Sequence, residues 1–565
     1  MHPPPNRDGK DRFTRSAGRQ LLILAAGAVV GLALLMLGLS WASNLTGGGG
    51  VSKGIDAATD TVTLALADEP PQLDSTRSND TISSMVLGHV TEGLLRNGED
   101  GKPAPGVAER WEITETGATF WLRPDARWSD GKAVTAHDFV FAWRKTVDPK
   151  TASDNVAMFF AIRNAEAINR GLAPVSSLGV RAEGDRVLRV ELVRPVAYFD
   201  KLMMIWSFRP IREDFYNAMG GRYGAEADTL LYNGPFMITR WVHGAELRME
   251  KNPHYWAKDR VKVKVLNFAY FTRDPNTLVN LYKDGKIAVA GLNQENLDDA
   301  MVQRWRINPF QQGALFYLQF NQREGRPTAN RNLRRAIQLV IDPDELVYRV
   351  IRTPGNLPGR SLFPVWLDGV EGKFRVEYPV RRVARDPVEA RRLLALAKRE
   401  LGVERLPPLT LLTDDGALGD KQSEYFQELF RRELGLEIRI DQQIFKQRLA
   451  KMDSGDFDIV TAGWNPVYPD PMTLADLLTS WNPNNNGRYR NPELDRMVVI
   501  AQTSSDARER MDAFGRIQEI VIEDAPIVPT YEAGSVYVVD PRLRGLVRRV
   551  AGFDPDYTRV SIVED

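Results

Sequence analysis

A chain of 565 residues, 26% of them charged and 43% hydrophobic, has a soluble globular composition; it is too long for one ordinary core, and roughly two to four domains are expected. Its 74 basic and 74 acidic side chains give zero formal net charge, which excludes binding to nucleic acid or anionic membranes through bulk charge. The absence of cysteine excludes thiol catalysis, Cys-ligated zinc, iron–sulfur clusters, disulfides and a lipidated N-terminal cysteine.

Residues 1–20 carry Arg7, Lys10, Arg12, Arg15 and Arg19 against Asp8 and Asp11, a basic tail expected in the cytoplasm. Leu21 to Leu39 is free of charge, and its 19 residues span about 28 Å as a helix, close to the roughly 30 Å of a bilayer's hydrocarbon core. This predicts one transmembrane or signal helix, with everything after it periplasmic or otherwise extracytoplasmic. The run exceeds the roughly 7–15 apolar residues usual in a signal peptide, which favours a retained inner-membrane anchor. Against that, Ser40-Trp41-Ala42 fits a small-x-small site for cleavage near Ala42. Residues 40–60, with Gly47-Gly48-Gly49-Gly50, read as a flexible linker.

The globular part begins at Thr61 to Leu66, an alternating strand, and Asp80 to Leu95 follows as a helix. Ala118 to Arg123 alternates as a half-buried strand, and Ser129-Asp130-Gly131 supplies turn chemistry. Thr135, three residues before Asp138, forms a capping-box-like start for a helix carrying Phe139, Val140, Trp143 and Val147, which Asp148-Pro149 stops. Val187 to Leu192 and Met237 to Val242 are further strands, and Asp284-Gly285-Lys286 turns into another at Ile287 to Ala290.

From Leu315 onwards strands and helices alternate. Leu315 to Phe320 is a strand; Asn332 to Ile341 is a helix with Leu333, Ala336, Ile337 and Val340 on one face; another helix begins at Asp344. Then come strand Leu409 to Leu412, helix Gln422 to Leu434, strand Leu436 to Ile440, helix Ile444 to Met452 and strand Phe457 to Thr461. Such alternation implies βαβ units and a sheet with a parallel part.

No GxxxxGK[ST], HExxH, GxSxG or GxGxxG pattern is present, and His2, His89, His137, His243 and His254 show no pair at metal-site spacing. No catalytic residue, metal or cofactor is therefore expected. The best candidate for a binding segment is Ala462 to Pro471, placed directly after a predicted strand, where loops of α/β lobes face a ligand crevice. Within it Gly463 permits close backbone approach, Trp464 and Tyr468 offer flat apolar surface, Asn465 and Val467 lie between them, and Asp470 can accept from a cation.

The fragments Glu92 to Leu95, Pro103 to Trp111, Leu122 to Gly131 and Val134 to Val140, in this order and spacing, resemble the signature of the oligopeptide-binding proteins. These are extracytoplasmic solute-binding subunits (family 5) of peptide, nickel and related ABC importers. Asn233-Gly234-Pro235-Phe236 and Asn252-Pro253-His254-Tyr255-Trp256 resemble further family elements, and the likeness runs from about Asp60 almost to the C-terminus. The resemblance implies an α/β, type II periplasmic-binding-protein fold, with two lobes, a hinge and an extra domain, preceded by the N-terminal helix. It assigns residues 56–92, 215–312 and 535–565 to a discontinuous lobe I, 93–214 to the extra domain and 313–534 to lobe II. The implied role is a monomeric receptor, not an enzyme, that closes on an oligopeptide and delivers it to inner-membrane ABC permease subunits. The same role for an opine, nickel chelate or sugar, and a membrane-tethered sensor, are the alternatives.

Two departures bear on the ligand. In the family the segment commonly reads tryptophan, two residues, aspartate, tyrosine, that aspartate pairing the peptide's α-amino group. Trp464 and Tyr468 fit, but the aspartate position holds Val467, and Thr461 stands where the enteric peptide binder has an arginine. The resemblance also places Asn79, Asp80 and Thr81 on the family's other ligand-facing edge. Asp470 or Asp80 is then the expected replacement carboxylate.

Overall fold

The computed structural model describes residues 53–99 and 101–563. The apolar stretch from Leu21 to Leu39 lies outside them, and among the described residues no helix is long and apolar enough to cross a membrane.

Thr61–Leu66 forms as expected, its valine and leucines turned into the core. It lies in a five-stranded sheet ordered Ile55–Asp56, Thr61–Leu66, Val265–Phe271, Glu246–Lys251, Phe236–Val242. Its pairing with Val265–Phe271 is parallel, so the chain between them must return to the end of the sheet at which Thr61 starts. The helix expected from Asp80 to Leu95 is shorter, Thr81–Val90. Asp80 caps it, accepting from the amides of Ile82 and Ser83, while Thr91 turns extended. Glu92 then donates its amide to Asn233, and Leu95–Asn97 pairs with Pro103–Pro105.

A four-stranded antiparallel sheet follows, ordered Ala108–Thr114, Gly117–Leu122, Val187–Glu191, Val180–Glu183. Burial in Gly117–Leu122 alternates residue by residue, as its sequence predicts. Gly131 adopts φ +84°, which the turn at Ser129-Asp130-Gly131 requires. Helix Ala136–Val147 starts with the capping box of Thr135 and Asp138, and its Phe139, Trp143 and Val147 are fully buried. The aromatic stripe of this stretch is core.

The third sheet has seven strands, ordered Val289–Leu292, Ile527–Val539, Ile307–Phe320, Ile459–Trp464, Leu409–Asp414, Ile438–Gln443, with Leu357–Pro358 paired to Ile527–Val539. Leu409–Asp414 runs parallel to both neighbours, the parallel part expected from the strand–helix alternation. The strand expected from Leu315 instead begins at Ile307, and its 14 residues pair antiparallel with most of Ile527–Val539. Register between the two breaks from Gln311 to Leu315, where Gly313 takes φ +89°. Helix Arg331–Val340 buries Leu333, Ala336, Ile337 and Val340 beneath the sheet, one face as predicted. The helix expected from Asp344 starts at Pro343 and passes into a π-helical segment, Leu346–Ile351.

Candidate functional site

The strand expected to stop at Thr461 runs on to Trp464, so Gly463 and Trp464 sit on the sheet and not in a following loop. One edge of Ile459–Trp464 is fully paired, Gly463 opposite Phe316 and Trp464 opposite Leu315. On the other edge, among the described residues, only Ile459 and Val460 are paired, with Leu411 and Leu412, and the backbone of Ala462, Gly463 and Trp464 has no strand partner there. A Cβ on Gly463 would stand 2.7 Å from the Phe316 ring, so packing as well as access requires glycine.

A cleft opens beside Gly463. Asp414, Gln422, Arg448, Thr461 and Tyr531 line it. Asp414 ends its strand, and its carboxylate accepts from the amide of Gly416. Arg448 donates to the carbonyl of Thr461 at 2.8 Å and lies 5.4 Å from the Phe445 ring. The cleft thus offers one carboxylate, one guanidinium and a stacked aromatic pair, Phe316 and Tyr531, with centroids 4.5 Å apart. Ile444 and Phe445, 51% and 63% exposed, stand beside Arg448 at the start of helix Phe445–Ser454 and make an apolar rim.

Beyond Trp464 the segment folds back on itself. Thr473 takes hydrogen bonds from the Trp464 indole at 3.4 Å and the Val467 amide at 3.3 Å. Asn465 precedes Pro466 in this turn. Tyr468 stacks parallel on Tyr198, centroids 5.1 Å apart. Burial, then Tyr198 and Asp470, push the Tyr468 phenol well above its usual range, so it stays protonated.

Asp470 is 0% exposed. Its carboxylate accepts from Lys201 at 2.6 Å, from Arg510 at 2.9 Å and from the Met472 amide at 3.1 Å. Burial alone would raise its pKa; the two cations more than offset that and hold it below the usual carboxylate value. A ligand ammonium would have to displace Lys201 or Arg510 to reach it.

Asp80, the other expected carboxylate, is engaged as the cap of Thr81–Val90. Thr81 is the first residue of that helix. Asn79 donates to Asp154, and the neighbouring Ser78 carbonyl accepts from Asn155 at 2.8 Å and Trp206 at 2.9 Å. Residues 79–81 and 463–470 are therefore reached by one short stretch that sequence reasoning missed. Tyr198 and Lys201 touch the later group, and Trp206 adjoins the earlier one. The aromatic content of Tyr198 to Phe208 was the only signal available for it. Asp414 and Arg448 were also missed, although Asp414 lies just past a predicted strand end.

Among the described residues, no group of three or more His, Asp or Glu side chains could hold a metal ion. The sequence profile of the bacterial extracellular solute-binding proteins, family 5 Middle, matches residues 102–486. The dipeptide-binding protein DppE of Bacillus subtilis (strain 168) is 28% identical over 487 residues, 86% of this chain and 89% of the relative. Among solved structures, the substrate-binding domain of an oligopeptide ABC transporter from Bacillus anthracis str. Ames is 35% identical, with a TM-score of 0.73 over 90% of this chain and 99% of that one. Listeria monocytogenes OppA bound to peptide is 29% identical, with a TM-score of 0.72 over 90% of this chain and 100% of that one.

Proposed function

Since this chain belongs to the bacterial extracellular solute-binding proteins of family 5, we propose that it is the receptor of an ABC importer, which encloses an oligopeptide between two lobes and delivers it to the membrane permease. The observation that carries this reading is the unpaired backbone edge from Ala462 to Trp464 beside a cleft that holds Asp414 and Arg448. A peptide added to such an edge gains hydrogen bonds that do not depend on its side chains, and the cleft takes its side chains or termini. The named relatives bind dipeptides or peptides, which agrees with that chemistry.

The residue roles follow from the surroundings of each side chain. Gly463 and Trp464 present backbone to the ligand; Asp414 faces its ammonium group in place of the aspartate that Val467 replaces; Arg448 faces a carboxylate or carbonyl. Asp470, held by Lys201 and Arg510, fixes the course of Asn465 to Tyr468 without touching ligand. Asn79, Asp80 and Thr81 form the opposing wall. Lobe I comprises residues 56–92, 215–312 and 535–565, the extra domain 93–214 and lobe II 313–534. Closure turns about the two long strands near Gly313 and Gly534, where their register shifts. The receptor works as a monomer outside the inner membrane, held there by Leu21 to Leu39 or released after cleavage near Ala42.

Calorimetry of free tripeptides against their N-acetylated forms tests the reading. Free peptides should bind, acetylated ones should bind more weakly, and Asp414→Asn should remove the difference. No heat from any tripeptide, together with another small solute retained in native mass spectra of protein from its own host, would defeat it.

A further inference from the structure

A second cleft lies between the C-terminal end of helix Thr81–Val90 and the segment from Arg549 to Arg559. It shares no lining residue with the cleft beside Gly463. Five arginines line it, Arg96, Arg209, Arg260, Arg549 and Arg559, against two acids, Glu92 and Asp556.

Both acids are already engaged. Glu92 accepts from the Tyr255 hydroxyl and the Trp256 indole, each at 2.6 Å. Asp556 is paired with Arg549 at 2.7 Å and accepts from Thr558. Of the remaining arginines, Arg559 is paired with Glu99, and Arg96 donates to the Pro105 carbonyl while lying 5.9 Å from the Trp256 ring.

Arg209 and Arg260 are different. Arg209 is only 5% exposed, yet among the described residues no carboxylate lies within ion-pairing distance of it. Its Nη1 donates to the carbonyls of Leu87 and Thr91 and to the Thr91 hydroxyl, so it caps the helix C-terminus. Capping accounts for that one nitrogen. Nε is buried with no partner, and Nη2 donates to no group among the described residues. A buried guanidinium left this way is costly unless an anion completes its hydrogen bonds. Burial lowers its pKa to about 10, although the Glu92 carboxylate nearby acts to raise it. Arg260 lines the same cleft, and among the described residues its guanidinium has no hydrogen-bond or ion-pair partner, only the Trp256 ring 5.8 Å away.

We propose that this cleft binds a small oxyanion, phosphate or carboxylate in class, with the free N–H groups of Arg209 and Arg260 as its donors. Planar guanidinium forks match the paired oxygens of such anions. The bound anion joins Arg209, whose guanidinium lies 5.9 Å from the Phe553 ring, to Arg260 and so stiffens the packing around this helix end.

The test is titration calorimetry and thermal melting of the full-length chain with inorganic phosphate and with acetate, each compared with chloride at matched ionic strength. Phosphate, acetate or both should give a saturable heat and a raised melting temperature that chloride does not, and which one binds more tightly names the anion. Arg260→Gln, at an exposed position, should fold normally and weaken binding on the order of tenfold or more, the loss typical of a hydrogen bond to a charged group. Arg209→Lys should weaken it further; if that variant does not fold, Arg260→Gln alone decides. Indistinguishable behaviour in all three salts, or unchanged anion binding in Arg260→Gln, would overturn the proposal. Tripeptide affinity should be unaltered in Arg260→Gln, which separates this site from the peptide cleft.

Discussion

Asp414 and Asp470 belong to the same part of the fold, and each lies near a cation. Asp470 is sealed from water, with Lys201, Arg510 and a backbone amide filling its acceptor sites. Asp414 faces open space shared with Arg448, and no ion pair joins it among the described residues. A charge whose partners all come from its own chain stabilises one arrangement of that chain. A carboxylate that faces a cleft can still pair with a group that arrives from outside. The residue that reads as the ligand carboxylate in the sequence is thus paired within its own chain, and the carboxylate that faces the cleft is one that the motif does not contain.

The comparison breaks most visibly at Asp470. Asp470→Asn leaves Lys201 and Arg510 facing a neutral amide in the interior, and should cost about 3–5 kcal/mol of stability in denaturant melts. A variant of normal stability that no longer binds peptide would instead make Asp470 a ligand contact. The wild type should report the same role through pH. Because the folded-state pKa of Asp470 is depressed, its contribution is complete above the unfolded value near 4 and is lost as pH falls through the lower folded value. The acid limb of the stability curve should therefore be shallower in Asp470→Asn.

Asp414→Asn should do the reverse. Stability should stay within about 0.5 kcal/mol, as for a partly exposed polar swap, while free tripeptides lose about 1.5–3 kcal/mol of binding, the range for a hydrogen bond to a charged group. Equal losses of stability and affinity would erase the distinction between the two carboxylates. A smaller effect is expected at Gly463→Ala. The added Cβ meets the Phe316 ring, and overpacking of this kind costs about 1–3 kcal/mol. Both folding and peptide affinity should suffer, since the same atom presses on the sheet and narrows the backbone edge.

What was legible in the sequence was local. The capping box of Thr135 and Asp138, the alternation through Gly117–Leu122 and the apolar face of Arg331–Val340 each depend on neighbours a few residues away. The strand Ile307–Phe320 was half visible, because Asn308, Gln311 and Gln312 interrupt the apolar pattern where pairing with Ile527–Val539 holds the backbone extended. The partners of Asp470 were invisible for a simpler reason: Arg510 lies 40 residues on and Lys201 lies 269 residues back. The position of Trp464 on a strand was hidden too, since that strand owes its last three residues to Leu315, Phe316 and Tyr317 across the sheet. Long-range pairing decided the site, and no spacing rule reports it.

The gentlest test concerns the rim of the open cleft. Phe445 is 63% exposed and its ring carries the Arg448 guanidinium at 5.4 Å, so it contributes little to the core but orients the cleft's cation. Phe445→Ala should leave melting almost unchanged. It should lower affinity by about 0.5–1 kcal/mol, the worth of an exposed cation–π contact. If Arg448 faces the ligand, the loss should appear for peptides of any composition, because a loosened guanidinium binds every carbonyl or carboxylate less well. If the ring itself forms a wall for apolar side chains, the loss should be confined to peptides that carry them. Calorimetry with trialanine and triphenylalanine separates the two, and Phe445→Tyr, which keeps the ring, should restore the first effect fully. An alanine variant that binds both peptides as tightly as the wild type would remove the rim from the site and confine recognition to Asp414, Arg448 and the backbone edge.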